Sequence, residues 1–207
     1  MPVISGNVSL YNESKGSAIP PSPMISCLGT LPNVDSSITF DIKKSNSLLI
    51  LIGKRQDECG GSVFYQLFGE LGLHLPKPDL STLNNEIQAV TEAIQCGLIL
   101  AAHDISEGGV AVTLAEMSFK NSIGVQVEIE GDLATEKLLF GESGGFVLEV
   151  AREHHSALDA LFAQYHTPYW IIGQTTNQST LKINSVINLP INVAYYAWEH
   201  GLRERLL

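Results

Sequence analysis

Polar residues set before paired glycines occur three times, as Lys54-Arg55-Gln56-Asp57-Glu58-Cys59-Gly60-Gly61-Ser62, His103-Asp104-Ile105-Ser106-Glu107-Gly108-Gly109 and Gly141-Glu142-Ser143-Gly144-Gly145. Paired glycines take away the side chains that keep another group off the backbone, and the free N–H groups of a helix start attract an anion. The corner at Asp104, Ser106, Glu107, Gly108 and Gly109 can therefore hold an anion. A well-capped helix start, with Asp104 or Ser106 as the cap, accounts for the same residues. Glu142 and Ser143 could hydrogen-bond a ligand, and a helix-to-strand turn explains them too. His103 by itself reads as a packed or edge-exposed histidine rather than as a base or a metal ligand.

These corners need elements on either side to position them. Leu98-Ile99-Leu100-Ala101-Ala102 is short and continuously apolar, which predicts a strand buried on both faces. Val110, Leu114, Met117 and Phe119 then follow at near-helical spacing, with Glu116 and Lys120 left for the wet side. The same organisation occurs upstream. Leu48 to Ile52 predicts a central strand closed by Gly53, and Val63, Phe64, Leu67, Phe68 and Leu71 predict a helix that Pro76 and Pro78 end. Asp79 or Ser81 caps a long helix to about Cys96, with Leu83, Ile87, Val90, Ala93 and Ile94 on one face and Gly97 as its stop.

Further along, Ile123, Val125, Val127 and Ile129 alternate with small or polar residues, as in a strand buried on one face. Leu133 to Phe140 reads as a short helix and Phe146 to Val150 as a strand, while His155, Leu158, Leu161 and Phe162 mark another helix. Trp170 to Gly173 and Leu181 to Ile183 read as closing strands before a C-terminal helix bearing Val193, Tyr196, Ala197 and Leu202. Irregular alternation of strands and helices, with hairpin-like neighbours late in the chain, indicates an α/β fold with a mixed sheet covered by helices.

Composition narrows the partners. A chain of 207 residues with 44% apolar and 16% charged residues is ordered and can bury a core. Its formal net charge of −10, from 12 Lys and Arg against 22 acids with no basic cluster, argues against nucleic acid and against an anionic membrane. Cys27, Cys59 and Cys96 form neither a disulfide framework nor a CxxC zinc pair, which fits a reducing cytoplasm. His154, His155 and His166 lack a carboxylate at ligand spacing and read as solvated. No apolar run reaches the roughly 18 residues of a membrane span, and the start lacks the charged-then-apolar order of a signal peptide.

Residues 2–40 differ in texture from the rest. Pro2 to Glu13 is β-prone, Ser14-Lys15-Gly16-Ser17 is a turn, and Pro20-Pro21-Ser22-Pro23 imposes an extended crossing. Too few residues here can form a core of their own, so the segment reads as two strands that need a partner surface. The chain is expected to be a fragment of something longer.

In order and spacing, Ser5-Gly6-Asn7-Val8-Ser9-Leu10-Tyr11-Asn12-Glu13 and the three glycine-tipped motifs together resemble the phosphoribosylformylglycinamidine synthase subunit II family, a relative of aminoimidazole ribonucleotide synthetase. The resemblance covers nearly the whole chain but only the C-terminal part of that longer, internally duplicated enzyme. It implies a three-layer α/β/α sandwich with a mixed sheet over residues 41–207. Before it would come an extended β arm, residues 1–40, ending an upstream ATP-binding barrel domain.

The function the resemblance implies is the C-terminal part of an ATP-dependent ligase of de novo purine biosynthesis. Phosphoryl transfer from ATP activates the amide oxygen of formylglycinamide ribonucleotide, and ammonia then displaces phosphate to give formylglycinamidine ribonucleotide. By motif position Gly6 resembles an ATP contact, Asn7 the ligand whose amide oxygen binds Mg²⁺, and Ser9 a contact to the ribonucleotide substrate. Asp104, Ser106, Glu107, Gly108, Gly109, Glu142 and Ser143 resemble a second, structural nucleotide site, as candidates for holding a phosphate or a metal ion. Gly144 stands where the family's first-half substrate motif has an amide side chain. The family's catalytic histidine and principal Mg²⁺ carboxylates lie in its N-terminal half, so His103 is not that histidine and the chain is expected to be inactive alone. Its implied partners are that N-terminal half, a glutaminase subunit supplying ammonia and a small bridging subunit, in the cytoplasm. The alternative is a freestanding non-catalytic domain for nucleotide binding or dimerisation.

Overall fold

A computed structural model describes residues 5–6, 12–19, 25–31 and 33–206, and the chain divides into two compact units, Met1–Val34 and Asp35–Leu207. In the first unit, β1 (Glu13–Ser14) and β2 (Ser17–Ala18) form an antiparallel hairpin about Lys15-Gly16. Both turn residues have positive φ, 50° and 80°, as a two-residue turn matching strand twist requires. Ile19 N donates to Asn12 O at 3.0 Å and closes the pair. The turn expected at Ser14–Ser17 is thus formed. Residues 25–31 carry no regular structure, and of the β-prone stretch Pro2 to Glu13, residues 2–4 and 7–11 lie outside the described residues.

The second unit is built on a seven-stranded sheet in the order β4-β6-β3-β7-β5-β8-β9. Its strands are β3 (Leu48–Ile52), β4 (Ala101–Asp104), β5 (Gly124–Val127), β6 (Phe146–Val150), β7 (Tyr169–Thr176), β8 (Thr180–Ile183) and β9 (Ile187–Pro190). The β5–β8 pair is parallel and the other pairs are antiparallel, so the sheet is mixed as expected. The helices are α1 (Val63–Gln66), α2 (Leu80–Gln95), α3 (Gly109–Phe119), α4 (Thr135–Phe140), α5 (His155–Gln164) and α6 (Ile191–Leu206).

Alternation along β3 explains the layers. Leu49 and Leu51 enter one core with Val110, Leu114 and Met117 of α3, Leu139 of α4 and Ile191 of α6. Ile50 and Ile52 enter another core with Ala89, Val90 and Ala93 of α2 and Leu158 and Phe162 of α5. Successive side chains point to opposite faces, so one five-residue strand anchors both helix layers. The result is the expected three-layer α/β/α arrangement. All five residues of β3 are buried because strands flank it on both sides and helices cover both faces.

Three local expectations change. The strand predicted over Leu98–Ala102 runs instead over Ala101–Asp104, and as the sheet's edge it has only Ala101 fully buried. Leu98 and Ile99 still pack in the α2/α5 core, which is why the run reads as apolar. The helix predicted through Leu71 stops after one turn, with Gly69 and Gly72 at φ +71° and +74° just beyond it, and Leu67, Phe68 and Leu71 are left exposed. On α2 the buried face is Glu86, Ala89, Val90 and Ala93, whereas Ile87 is 47% exposed.

Two carboxylates do structural work in this unit. Asp79 caps α2, its Oδ1 accepting from Ser81 N at 3.0 Å, and side-chain and backbone hydrogen bonds from Ser81 and Thr82 bring its pKa down to about 2. Glu149, fully buried on β6, accepts from Lys43 N at 2.7 Å and Lys44 N at 3.1 Å, tying the entry segment to the sheet.

Replacing Glu149 with Leu is expected to destabilise by about 2–4 kcal/mol in urea unfolding, because two backbone donors lose their acceptor. Asp79→Ala is expected to lower the melting temperature at pH 7. Since the folded pKa lies below the ordinary carboxylate value, the cap's contribution is present above about pH 4 and vanishes as pH falls toward 2. The melting difference between Asp79→Ala and the parent should close over that interval.

Candidate functional site

The three glycine-tipped corners meet at one end of the sheet. β6 runs antiparallel to both neighbours, and its first residue, Phe146, lies opposite Ile52 on one side and Asp104 on the other. The corners leaving β3 and β4 and the corner entering β6 are therefore adjacent, although they are far apart in sequence.

One carboxylate joins them. Glu142 Oε1 accepts from Val63 N, the first residue of α1, and from Gly108 N, at the start of α3, both at 2.9 Å. Gly108 is the N-cap of α3 in the left-handed region, φ +81°, and no side chain caps that helix from within its own corner. Asp104 and Ser106, expected as caps, do not serve. Asp104 bonds to His103 instead, while Ser106 and Glu107 are exposed. The anion that the corner's geometry favours is supplied by the chain itself, and an incoming phosphate would compete with Glu142 for the Gly108 N–H.

Arg55 secures the same loop from the other side. Its guanidinium donates to Gly53 O and Gly144 O and, at 3.4 Å, to Gly141 O. Burial lowers its pKa to about 10, against the raising effect of Glu86 and Glu58, and it stays charged at neutral pH. Ile105 N donates to Gly145 O at 2.9 Å, linking the β4 corner directly to the β6 corner. Close approach explains two glycines. A Cβ on Gly145, at φ +111°, would lie 2.1 Å from Ile52 O, and one on Gly109, at φ +66°, would lie 2.7 Å from Leu139 O. Phe64 and Phe140 stack at 4.8 Å beside the cluster, and Lys137 bonds Asp57 at 2.5 Å. Ser143 Oγ is buried without a hydrogen-bond partner among the described residues.

His103 sits on the β4 edge, near this end but outside the cluster. Its Nε2 lies 3.0 Å from Glu116 Oε2 and its Nδ1 3.2 Å from Asp104 Oδ1, and Trp198 Nε1 donates to Glu116 Oε1 at 3.0 Å. A groove of about 580 Å³ opens beside it, lined by Phe40, Asp41 and Lys120 among others. His155 bonds the Tyr169 hydroxyl at 3.1 Å. Among the described residues no group of three His, Cys, Asp or Glu side chains is arranged to hold a metal ion.

Of the residues with implied roles, Gly6 is described and exposed, with nothing among the described residues within 4 Å of where a Cβ would stand. Asn7 and Ser9 lie outside the described residues. Of the second set, Gly108, Gly109 and Glu142 are brought together, Ser143 lies beside them, and Asp104, Ser106 and Glu107 take no part in the Glu142 contact.

The family profile described as AIR synthase related protein, C-terminal domain, matches residues 44–185. The chain belongs to this family. The AIR synthase related C-terminal domain therefore accounts for most of the second unit and contains all three corners. Over its whole length the chain is 36% identical to phosphoribosylformylglycinamidine synthase subunit PurL of Methanothrix thermoacetophila, spanning 28% of that relative. The same identity holds to the PurL subunit of Thermus thermophilus, of which it spans 29%. The chain thus corresponds to under a third of the length of these curated relatives. Among solved structures, Thermotoga maritima PurL complexed with FGAR shares its fold, with a TM-score of 0.68 at 18% identity over 77% of this chain and 29% of that one.

Arg55 and the reach of Glu142 were not legible beforehand. Both precede paired glycines in the sequence, but the partner atoms lie 79 and 34 residues from Glu142, and 86 residues from Arg55 at Gly141. Glu142→Ala is expected to cost about 1–3 kcal/mol in urea unfolding by stranding two backbone donors, while Glu142→Gln, which keeps an acceptor oxygen, should recover most of it. Amide exchange at Val63 and Gly108 should accelerate in the alanine variant and not in the glutamine one.

Proposed function

We propose that this chain acts as part of an ATP-dependent carbon–nitrogen ligase that converts formylglycinamide ribonucleotide and ammonia to formylglycinamidine ribonucleotide in purine biosynthesis. The observation that carries this reading is the 36% identity to a phosphoribosylformylglycinamidine synthase subunit along the whole of this chain. Support also comes from Thermotoga maritima PurL, solved as complexes with ADP, with ATP and with FGAR.

In this reading residues 1–40 complete an ATP-binding barrel and residues 41–207 form a domain of their own. Gly6 lets the nucleotide approach the backbone, and its open surroundings suit that role. Asn7 would hold Mg²⁺ through its amide oxygen, a hard donor suited to a hard cation, and Ser9 would hydrogen-bond the ribonucleotide. Mg²⁺ would neutralise charge on the phosphates during transfer. The chain's own residues bind and orient, and the groups that move protons belong to the rest of the enzyme. Of the candidates for a second, structural nucleotide site, Gly108, Gly109, Glu142 and Ser143 lie together, and Asp104, Ser106 and Glu107 would have to turn toward them to take part.

The chain alone is inactive in this reading, and its partners are the N-terminal half of the enzyme, a glutaminase subunit and a small bridging subunit, in the cytoplasm. A structure of PurLQS from Thermotoga maritima supports a multi-subunit assembly. Among the described residues no helix is long and apolar enough to cross a membrane.

Reconstitution tests the proposal. With a complementary N-terminal half, ATP, Mg²⁺ and ammonium, the chain should restore amidine formation that neither part shows alone, and Asn7→Ala should reduce the rate at least about tenfold at limiting Mg²⁺ with partial recovery at high Mg²⁺. No product from a folded mixture would favour a freestanding, non-catalytic domain.

A further inference from the structure

β4 is one edge of the seven-stranded sheet, and a groove of about 580 Å³ lies against it, lined by Phe40, Asp41, Ala102, His103, Asp104 and Lys120 among others. Register and one hydrogen bond decide which backbone groups of this edge face outward. Asp104 lies opposite Phe146, and one step further Ile105 N donates to Gly145 O at 2.9 Å. Directly opposed residues of an antiparallel pair alternate between bonded and non-bonded pairs. Ile105 and His103 therefore aim their backbone groups at β6, while Ala102 and Asp104 aim theirs away from it. Asp104 O accepts from Thr113 Oγ1 at 3.3 Å, whereas Ala102 N and O have no hydrogen-bond partner among the described residues. Side chains alternate in the same way. Ala101 enters the core under α3 and Ala102 packs toward the core under α2 and α5, so His103 falls on the α3 face, its ring 5.1 Å from that of Phe40, and Asp104 on the opposite face. The Asp104 side chain is 65% exposed and is bonded through Oδ1 alone, to His103. Lys120 is already paired with Asp41 at 3.1 Å, and both oxygens of Glu116 are taken, by His103 and Trp198.

An unpaired strand edge beside an open groove is a template for one more strand. We propose that an extended peptide carrying a lysine or arginine docks in this groove as an added strand, antiparallel to β4. One peptide residue then exchanges both backbone hydrogen bonds with Ala102. The residue two positions before it lies opposite Asp104 on the same face, where its cation reaches the free Asp104 oxygen. The residue between them points to the α3 face, where Phe40, 47% exposed, offers it an apolar surface. Charge selects this occupant. Two copies of the chain, each with a formal net charge of −10, repel one another, and a basic peptide is attracted. The surface belongs to the second unit alone and is independent of the proposed ligase role.

The probe is the blocked peptide acetyl-Thr-Lys-Val-Thr-Val-amide, whose second threonine would lie opposite Ala102 and whose lysine would lie opposite Asp104. Titrated into the whole chain, it should shift the backbone amide NMR signals of Ala102 and Asp104 saturably and slow hydrogen exchange at Ala102. Methylating the backbone nitrogen of that second threonine removes its donor and should abolish binding. Replacing the peptide's lysine with glutamate should weaken binding at least about threefold, and the glutamate peptide should regain that loss on Asp104→Lys. Asp104 is exposed, so its substitution should leave amide signals remote from β4 unchanged. Equal binding of the methylated and unmethylated peptides, no preference for lysine over glutamate, or saturation without shifts at Ala102 and Asp104 would each overturn the proposal. So would shifts at Ala102 that grow with protein concentration in the absence of peptide, which would give the edge to a second copy of the chain.

Discussion

A single carboxylate oxygen accepting from two helix starts organises this molecule. Glu142 Oε1 takes the N–H groups of Val63 and Gly108, so the corners after β3 and β4 are both held to the corner before β6. Free N–H groups at a helix start cannot stay buried without an acceptor, and a negative charge there also meets the favourable end of the helix dipole. Arg55 holds the same loop from the opposite side through carbonyl oxygens. One anion and one cation thus clamp a loop of small residues whose glycines permit the close approach.

That clamp works only because of the strand order. β6 lies between β3 and β4 and runs against both, which brings the ends of two strands to the beginning of a third. The two apolar cores, one under α3, α4 and α6 and one under α2 and α5, pack β3 and β6 from both faces. Glu149 plays a comparable part within the sheet, where its buried carboxylate accepts from consecutive backbone amides of Lys43 and Lys44. Both cases use a carboxylate of the chain to accept from two backbone donors, in a part-exposed setting at Glu142 and a part-buried one at Glu149.

The second unit contains an AIR synthase related C-terminal domain, and the three glycine-tipped corners fall within its residues 44–185. Residues that look like ligand contacts in isolation are here spent partly on one another. Glu142 faces backbone donors, Asp104 faces His103, and Ser106 and Glu107 face solvent. The corners keep this end of the domain in shape.

Sequence by itself determined the layered α/β class, the central strand Leu48–Ile52, the cap at Asp79 and the positions of the glycine corners, because local periodicity and turn chemistry act over a few residues. It also carried the resemblance that names the family. Tertiary structure alone decided that the apolar run at Leu98 ends in an edge strand, that the helix at Val63 stops after one turn, and that Glu142 rather than Asp104 or Ser106 meets the start of α3. Each of these depends on which strands become neighbours. That choice brings atoms dozens of residues apart to within 3 Å, and no periodicity along the chain encodes it.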